Sequence, residues 1–400
     1  MNRRDASQVD RSSSSPLAGV IVVALEQAVA APFATRQLAE LGARVIKVER
    51  PGKGDFARLY DEATYGLSSH FVWLNRGKES IELDLKDSAD LELLWRMIER
   101  ADVLVQNLAP GAARRLGLDP QTVRAKCSRL IYCGISGYGE SGPYSSKKAY
   151  DLLVQAEAGL LSIAGTEREP AKAGIPVADI SAGMYALTGI LTALYQRHET
   201  GQGSILDVTM LDALSEWMGY PLYFTIDKGV PPARSGAHHA TIAPYGPFTA
   251  GDGETVYLAV QNEREWTAFC ADVLFQPELT VDPRFARNSE RVAYRETLEA
   301  HITGSFASIT AEQVIARLER AGIAHATMRT VNEMIDHPQF RARHRWRTVP
   351  SPVGPLPALL PPVTSDGYEP TMGEIPALGS HSEALRREFL RDVTGPHRGC

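Results

Sequence analysis

The 400-residue sequence has few cysteines, and none lies in a motif for a metal ion or a redox pair. The 4 cysteines, Cys127, Cys133, Cys270 and Cys400, show no C-x-x-C spacing, and no H-E-x-x-H or other paired-ligand motif accompanies them. We therefore expect buried or incidental thiols, no disulfide and no bound metal. This use of cysteine is typical of a reducing compartment, so the sequence predicts a cytoplasmic protein.

Three further absences argue against other classes of protein. The sequence has no continuous apolar run of the roughly 18 residues that a membrane-spanning helix needs, so no membrane association is expected. The formal net charge of −6 lacks the basic excess that is usual in nucleic-acid-binding proteins. The opening MNRRDASQVDRSSSSP has no apolar core of a secretory signal, and residues 1–16 are predicted to be a disordered leader.

The common nucleotide-binding loops are also missing. Where a dinucleotide-binding protein carries G-x-G-x-x-G after its first strand, this chain reads LEQAVAAPFA. No G-x-x-x-x-G-K-[ST] motif is present either. NAD, FAD and nucleotides held by a P-loop are therefore not expected as cofactors.

Alternating strand and helix patterns are present in the first half of the chain. Predicted strands are GVIVVAL, ARVIKVE, DVLVQN and RLIYCGIS, and predicted helices between them are PFATRQLAELG and DSADLELLWRMIERA. The first three segments in chain order form a βαβ unit. The pattern predicts an α/β fold in which residues 17–205 form a large Rossmann-like domain with a parallel sheet.

The length of the chain favours a second, smaller domain. Residues 206–228 are predicted to be a connecting helix, and the following stretch to residue 250 is rich in Pro, Gly and small residues, as expected of a loop. Strand and helix patterns beyond it predict a small α+β domain at 229–345. The proline-dense end, 346–400, is predicted to return and pack on the large domain.

Asp179 precedes an amphipathic run and admits two interpretations. Ile180, Met184, Leu187, Leu191 and Leu194 recur at helical spacing, which places Asp179 at or just before the start of a helix. An aspartate there is commonly an N-cap. The other interpretation is a reactive carboxylate, which the N–H groups around residues 181–184 would hold ionised.

Several cations lie where predicted strands end. They are Arg50, Lys78, Arg115, Lys147 and Lys148. Ligands of open α/β sheets bind at the carboxyl ends of strands, so this distribution suits a phosphorylated, anionic ligand held by discrete Arg and Lys contacts. Ordinary solvated surface is the alternative for each residue taken singly.

The chain resembles the class III CoA-transferases, the group typified by formyl-CoA transferase and related to α-methylacyl-CoA racemase. The matching segments run in the family's order from Leu17 to about Gly379 and include LNRGKESIELDLK, DVLVQNLAPGAARRLG, GYGESGPY, ADISAGMYALTGILTALYQRHETGQG and PYGPF. The resemblance implies a Rossmann-like large domain, a small domain and an interlocked homodimer. It also implies acyl-CoA and carboxylate substrates, with coenzyme A entering as part of the thioester and no permanently bound cofactor.

The resemblance assigns roles to individual residues. Asp179 matches the family's catalytic nucleophile, and residues of the small-domain loop, Gly236, His238, His239 and Tyr245, are expected to face the substrate. The positions implied for CoA binding are Arg50, Asn75, Lys78, Asn107, Leu108, Arg115 and Lys148, together with Tyr150 and Asp151, which match a pair near the family's active site.

Two departures from the family pattern bear on function. The transferases for very small acids carry a run of glycines in the small domain, whereas ARSGAHHATIAPYGPF has only Gly236 and Gly246. The racemases carry a histidine where this chain has Tyr150, and a tyrosine of ordinary pKa is a poor base at neutral pH. A transferase is therefore preferred over a racemase or epimerase that would use Asp151 and Asp179 as proton carriers. A CoA-binding protein without turnover is the third alternative.

The sequence details are most similar to the branch of the family that acts on C4 and C5 dicarboxylates. The expected substrates are mesaconate, itaconate, citramalate or succinate and their CoA esters, with transfer between two molecules or between the two carboxyls of one. A second substrate carboxylate would need a cation or hydrogen-bond donors. Candidates for that role are Arg234, His238, His239 and Tyr245.

Overall fold

A computed structural model describes residues 15–391, so nearly all of the predicted leader lies outside the described residues. Its strands are β1 (Ile21–Leu25), β2 (Arg44–Glu49), β3 (Lys78–Glu82), β4 (Val103–Gln106), β5 (Ile131–Ser136), β6 (Ile205–Thr209), β7 (Tyr245–Thr249), β8 (Thr255–Ala259), β9 (Ala324–Thr327), β10 (Trp346–Val349) and β11 (Leu356–Leu359).

The helices alternate with the strands of the first half of the chain and dominate the second half. They are α1 (Ala30–Glu40), α2 (Ser69–Leu74), α3 (Ser88–Arg100), α4 (Ala112–Arg115), α5 (Pro120–Lys126), α6 (Asp151–Glu157), α7 (Leu160–Ile163), α8 (Val177–Thr200), α9 (Met210–Trp217), α10 (Gly219–Lys228), α11 (Glu263–Ala268), α12 (Asn288–Ala293), α13 (Arg295–Phe306), α14 (Ala311–Ala321), α15 (Val331–Ile335), α16 (Pro338–Ala342) and α17 (Ser382–Leu390). Short 3-10 turns occupy Phe56–Leu59 and Pro277–Thr280, and a π-helical turn occupies Phe269–Val273.

The chain divides into two compact units. Within the described residues, the large unit contains 15–158, Gly174–Trp217 and 342–391, and the small unit contains Gly159–Ala173 and Met218–Arg341. Two segments predicted outside the small domain, 159–173 and 218–228, therefore belong to the small unit. The side chain of Arg234 donates to the carbonyls of Thr166 and Glu167, and these hydrogen bonds hold the segment 159–173 against the loop that contains Arg234.

The large unit is built on a parallel sheet with the strand order β3-β2-β1-β4-β5-β6. Val22 pairs with Val45 of β2 on one side and with Val103 of β4 on the other. Helix α3 contributes Leu94 and Met97 to the core beneath the sheet. The predicted α/β fold with a parallel sheet is confirmed. The strand order reverses between β1 and β4, and ligands of such sheets bind at that switch point.

Strand β3 is absent from the sequence-based prediction. Its sequence, KESIE, contains three charged residues in five and lacks the β-branched run that marks the other strands. It pairs with β2 through Ile81, which is fully buried. Its charged first residue, Lys78, is also buried, because a carboxylate lies beside it in the core.

Helix α8 is long and apolar enough to cross a membrane, judged by length and composition alone, and is the one such helix found among residues 15–391. Asp179 and Arg197 interrupt this helix, so it is not a continuous apolar run of 18 residues. About half of its most apolar window, 44%, is buried inside the protein. Ala182, Ala186 and Ile190 are among the buried residues. A single helix of this kind is weak evidence for a membrane, since core helices pass the same test.

The small unit contains an antiparallel sheet of order β7-β8-β9 and several helices. Trp266, Phe269, Phe285 and Phe306 fill its core. Strand β7 lies within the stretch that the sequence predicts to be a loop. The prediction fails there because one proline precedes the strand and another lies inside it. Prolines in a sequence are normally evidence against a strand.

One cysteine contradicts the expectation that the protein has no disulfide. Cys127 is disulfide-bonded, whereas Cys133 and Cys270 are buried free thiols. Spacing along the chain does not test which cysteines approach each other in the fold, so the expectation of no disulfide is wrong. Within residues 15–391, no group of three or more His, Cys, Asp or Glu side chains is arranged to hold a metal ion.

Candidate active site

Asp179 lies inside the first turn of α8 rather than at its cap. The helix begins two residues earlier, at Val177, and its N-cap residue is Pro176, which has no side-chain acceptor. The predicted position at or just before the helix start is therefore wrong. The carboxylate of Asp151 supplies the cap instead, because its Oδ1 accepts the N–H groups of Ala178 at 2.8 Å and of Asp179 at 3.2 Å. The side chain of Asp179 is thus not used as a cap.

Asp151 is held in place by a third donor. It is the first residue of α6, and its Oδ2 accepts a hydrogen bond from Nε2 of Gln155 at 2.6 Å. A carboxylate at the N-terminus of a helix is stabilised by the helix dipole and by the unpaired N–H groups there. Asp151 therefore presents a fixed negative charge next to Asp179.

The surroundings of Asp179 favour its protonated form. Burial raises the pKa of Asp179, the charge of Asp151 raises it further, and a backbone hydrogen bond from Ala30 lowers it, with a net value of about 7. The N–H groups of Ala178 and Asp179 are bonded to Asp151, so they do not stabilise the charge of Asp179 directly. The expected contribution of the N–H groups around residues 181–184 stays a prediction.

A close crossing of α1 and α8 brings the Ala30 amide to Asp179. Gly183 lies one turn after Asp179, and a Cβ added at Gly183 would lie 2.7 Å from the carbonyl oxygen of Ala30 and 3.0 Å from the ring of Phe33. Only glycine allows the two backbones to approach this closely. The position of the backbone group that contacts the carboxylate thus depends on a residue without a side chain.

The loop between β1 and α1 is fixed at the switch point by Asn107. The side chain of Asn107 accepts the N–H of Gln27 at 2.8 Å and donates to the carbonyl of Gln27 at 2.8 Å. Leu108 follows directly, and its N–H donates to the side chain of Gln106 at 2.9 Å. The predicted CoA-binding residues Asn107 and Leu108 therefore lie at the point where the strand order reverses.

Two of the predicted CoA-binding residues are buried. Nζ of Lys78 donates to Oε1 of Glu26 at 2.6 Å and to Oδ1 of Asn75 at 3.0 Å. Burial lowers the pKa of Lys78 to about 7, although Glu26 opposes the shift. The side chains of Lys78 and Asn75 are directed at a buried carboxylate in this structure, and their role in CoA binding stays a prediction.

The other predicted CoA-binding cations lie at the surface. Arg115 and Lys148 are exposed. Arg50, also exposed, follows β2 directly and packs its guanidinium 4.3 Å from the ring centroid of Phe56. Its side chain also donates to the carbonyl of Gly54 at 3.1 Å. Arg50 is therefore held against an exposed aromatic ring beside the carboxyl end of the sheet.

Tyr60 belongs to the site although sequence reasoning did not select it. Burial raises the pKa of Tyr60, and the charges of Asp55, Asp179 and Tyr150 raise it further, so its phenol lies within electrostatic reach of all three groups. Tyr60 is 48% exposed and Tyr150 is 70% exposed, so both rings are accessible to a ligand. No pattern in the sequence marks Tyr60, which is 119 positions from Asp179 along the chain.

The predicted substrate residues of the small unit form a group of their own. The ring of His239 stacks on Tyr245 with centroids 5.1 Å apart, and Nδ1 of His238 lies 3.1 Å from the carboxylate of Glu299. The N–H of Gly236 donates to the carbonyl of Gly165 at 2.8 Å. The loop that carries them is thus tied to its own unit.

The charges of this loop differ from the expected ones. Burial and the charge of Arg295 lower the pKa of His239, so its ring is neutral at pH 7. Nδ1 of His239 accepts the N–H of Thr241, which leaves Nε2–H as a donor. The guanidinium of Arg234 is committed to backbone carbonyls. The loop therefore offers a neutral donor at His239, whereas the Arg234 guanidinium stays charged but is bonded to carbonyls of its own unit.

The sequence of both units matches a known family. The profile of CoA-transferase family III matches residues 17–382. The chain belongs to CoA-transferase family III. The resemblance found in the sequence is confirmed, and the protein is an acyl-CoA:carboxylate CoA-transferase.

Relatives and solved structures agree with this assignment. The chain is 35% identical over 378 residues to the acetyl-CoA:oxalate CoA-transferase of Acetobacter aceti, covering 94% of this chain and 96% of that protein. It is 33% identical over 343 residues to the succinyl-CoA:mesaconate CoA-transferase of Haloarcula hispanica, covering 83% and 85%. A crystal structure of a CaiB/BaiF family protein from Brucella suis superposes with a TM-score of 0.81 at 33% identity, covering 94% and 99%.

Proposed function

We propose that this family III CoA-transferase moves CoA between an acyl-CoA thioester and a C4 or C5 dicarboxylic acid through covalent intermediates on Asp179. The observation that carries the proposal is a half-buried carboxyl group in the first turn of α8 that lies beside a second carboxylate, Asp151, which caps the helix in its place. Carboxyl groups whose pKa is raised in this way occur preferentially at functional sites.

Each step exchanges one acyl bond for another. The ionised carboxylate of Asp179 attacks the thioester carbonyl, the C–S bond breaks, and CoA departs as a thiolate, which leaves a mixed anhydride between Asp179 and the donor acid. The thiolate then attacks the Asp179 carbonyl of the anhydride, which releases the donor acid and forms an aspartyl-CoA thioester. The acceptor carboxylate attacks this thioester and releases the thiolate again. Attack of the thiolate on the acceptor's acyl carbon yields the new thioester and frees Asp179.

The environment of Asp179 suits this sequence of steps. A carboxylate with a raised pKa is a stronger nucleophile than an ordinary one, and burial keeps water from the anhydride. We propose that the amide of Ala30, whose backbone lowers the pKa of Asp179, donates to the oxygen that becomes negative when the Asp179 carbonyl is attacked. The residues of the large unit thus supply the nucleophile and one donor for the developing charge.

The pH dependence of transfer tests the electrostatic part of this proposal. Asp179 must be ionised to attack, so kcat/KM is expected to rise about tenfold per pH unit below pH 7 and to level off above it. The Asp151→Asn variant keeps the oxygen that caps α8 but removes the neighbouring charge, so the pKa of Asp179 falls and the acid limb moves to lower pH.

A matched control for this pH profile is Asp90→Asn. Asp90 lies in α3, pairs with Arg386 and is not among the groups that shift the pKa of Asp179. The acid limb of kcat/KM for the Asp90→Asn variant is expected to coincide with that of the wild type. An acid limb that stays in place in the Asp151→Asn variant would show that the two carboxylates are not coupled.

The substrate class rests on relatives and on the donors of the small unit. Relatives named above act on oxalate, mesaconate and succinyl-CoA, and further relatives are named for glutarate and D-citramalate. The neutral Nε2–H of His239 and the hydroxyl of Tyr245 are the groups we propose for the second carboxylate. Loss of both donors in a His239→Phe/Tyr245→Phe variant is expected to raise KM for the acceptor acid.

The substrate proposal is tested with one donor thioester and a panel of acids. Succinyl-CoA is incubated with oxalate, mesaconate, itaconate, citramalate and glutarate, and new thioesters are identified by mass. The proposal predicts faster formation of C4 and C5 thioesters than of oxalyl-CoA. Deuterium incorporation at Cα of an acyl-CoA without acyl exchange would instead identify the racemase or epimerase, which the structure does not favour because Asp151 is bonded to three donors.

Assembly and location also stay predictions. We propose an interlocked homodimer, which light scattering would report as about twice the chain mass of 43.7 kDa. A cytoplasmic location is proposed from the sequence and would be checked by fractionation of cells that produce the protein.

A further inference from the structure

Four charged side chains form a buried cluster at the carboxyl ends of β1 and β2. The members of this buried ion cluster are Glu26, Lys47, Asp55 and Lys78, and their side chains are all 0% exposed. Nζ of Lys47 lies 2.7 Å from Oδ2 of Asp55 and 3.3 Å from Oε1 of Glu26. Buried ion pairs contribute little net stability compared with apolar residues of similar size. A role other than stability is therefore worth seeking for the cluster.

Asp55 connects this cluster to two backbone segments. Its Oδ1 accepts the N–H of Ala28 at 2.9 Å and the N–H of Ala57 at 2.9 Å, while Oδ2 accepts Nζ of Lys47. Because Lys47 holds one carboxylate oxygen, the other is oriented toward the two amides. One side chain thus fixes the β1–α1 loop and the 3-10 turn that begins at Phe56 relative to each other.

Both segments lead to the candidate active site. Ala28 adopts a left-handed conformation with φ of 62°, which costs a non-glycine residue on the order of 1 kcal/mol and needs an external restraint. Ala30, two residues further on, packs against Gly183, one turn after Asp179, and its backbone lowers the pKa of Asp179. The 3-10 turn ends at Leu59, directly before Tyr60. Asp55 therefore restrains the residues that precede two groups beside the nucleophile.

We propose that Asp55 is a positioning residue for CoA transfer, which holds the Ala30 amide and the Tyr60 ring in register with Asp179 while Lys47 orients its carboxylate. This inference rests on the proposed function of Asp179. Asp55 is buried and bonded to the N–H groups of Ala28 and Ala57, so its effect is transmitted through the backbone of these two residues.

The test compares two substitutions that remove the same charge. Asp55→Ala loses both backbone hydrogen bonds, whereas Asp55→Asn keeps an oxygen that can accept them. Misplacement of a reacting group by about 1 Å costs about 10²-fold, so Asp55→Ala is expected to lower kcat about 10²-fold with little change in KM. Asp55→Asn is expected to retain kcat within a few-fold. In Asp55→Ala the acid limb of kcat/KM also moves to higher pH, because the Ala30 amide no longer opposes protonation of Asp179.

Thermal stability is measured in parallel, because both variants remove the Asp55 carboxylate that pairs with the buried Lys47 and leave Glu26 as its partner. Both are expected to lose thermal stability, and Asp55→Ala more so because the N–H groups of Ala28 and Ala57 also lose their acceptor. Activities are therefore compared at a temperature at which both variants are fully folded, so that a loss of kcat reflects the site and not unfolding. If either fails to fold, the same pair is compared in a Lys47→Met background, which removes the unpaired ammonium. Equal kcat values for the Ala and Asn variants, or an unmoved acid limb in the Ala variant, would overturn the proposal.

A separate measurement distinguishes this proposal from the proposed function. The wild type is first tested for a covalent adduct on Asp179 during turnover. If no adduct forms, the proposed function fails and takes this inference with it. If the adduct forms and Asp55→Ala has the kcat of the wild type, only the positioning role of Asp55 is wrong.

Discussion

Asp179→Asn is expected to lower kcat by roughly 10³- to 10⁶-fold, the range for loss of a covalent nucleophile. The amide has nearly the shape of the carboxylate and still offers an oxygen to the Ala30 N–H, but it cannot attack a thioester carbonyl. The measurement is single-turnover transfer from succinyl-CoA to an acceptor acid. Asp179→Ala is expected to stay folded and to show a loss of similar size.

The Asp179→Asn variant is also expected to change how the melting temperature depends on pH. The pKa of Asp179 is raised from 3.8 to about 7, so the folded state binds this proton more tightly than the unfolded state. Wild-type stability is therefore lost as pH rises from about 4 to about 7. Asp179→Asn does not titrate, so it is expected to melt at a higher temperature than the wild type above pH 7, and the difference should disappear below pH 4.

Either result could contradict this view of Asp179. A variant that retains a tenth of the wild-type rate would remove the residue from the chemistry. A melting temperature that shows no pH-dependent gain would mean that the carboxyl is not held in an unfavourable environment. The Asp90→Asn variant again serves as the control, because its carboxylate is paired with Arg386 far from this site along the chain.

Gly183→Ala is expected to cause the second largest loss. The added methyl would lie 2.7 Å from the carbonyl oxygen of Ala30, a backbone atom that cannot rotate away, so α1 and α8 must separate. Overpacking of this kind costs about 1–3 kcal/mol of stability. The Ala30 amide moves with α1 away from Asp179, so kcat is expected to fall about 10²-fold. Thermal unfolding and steady-state kinetics measure the two effects.

The chain offers a matched control on the same helix. A Cβ at Gly189 would lie 3.4 Å from Leu206, which is an ordinary contact. Gly189→Ala makes the same chemical change and improves helix propensity by about 1 kcal/mol, so it is expected to stabilise the protein without loss of activity. Similar behaviour of the two variants would show that the crossing at Gly183 does not control the site.

Local patterns were sufficient to predict most of the sheet. The run IVVAL, the helix with Pro32 in its first turn and the run RVIKVE produce β1, α1 and β2 as predicted. Strand β3 was missed because its charged residues are neutralised by partners elsewhere in the chain, such as Glu26, 52 residues from Lys78. Propensity describes a residue in its local sequence, and these partners are not local.

The candidate site depends even more than the sheet on contacts between residues that are distant along the chain. A family motif was sufficient to identify Asp179, but its pKa depends on Asp151 and Ala30, which are distant along the chain. Tyr60 and Asp55 were not selected, because their relevance arises from contacts that only the folded chain makes. The periodicity predicted the helix but placed its start too late, since the side chain that caps it comes from α6.

The most direct measurement is the mass of the peptide that contains Asp179, taken from enzyme quenched during turnover of succinyl-CoA and treated with hydroxylamine. An aspartyl-CoA thioester or anhydride would be converted to a hydroxamate, and we predict that mass at Asp179 in the wild type and its absence in Asp179→Asn. Active enzyme that carries no modification on Asp179, or the same modification on another carboxylate, would contradict the account.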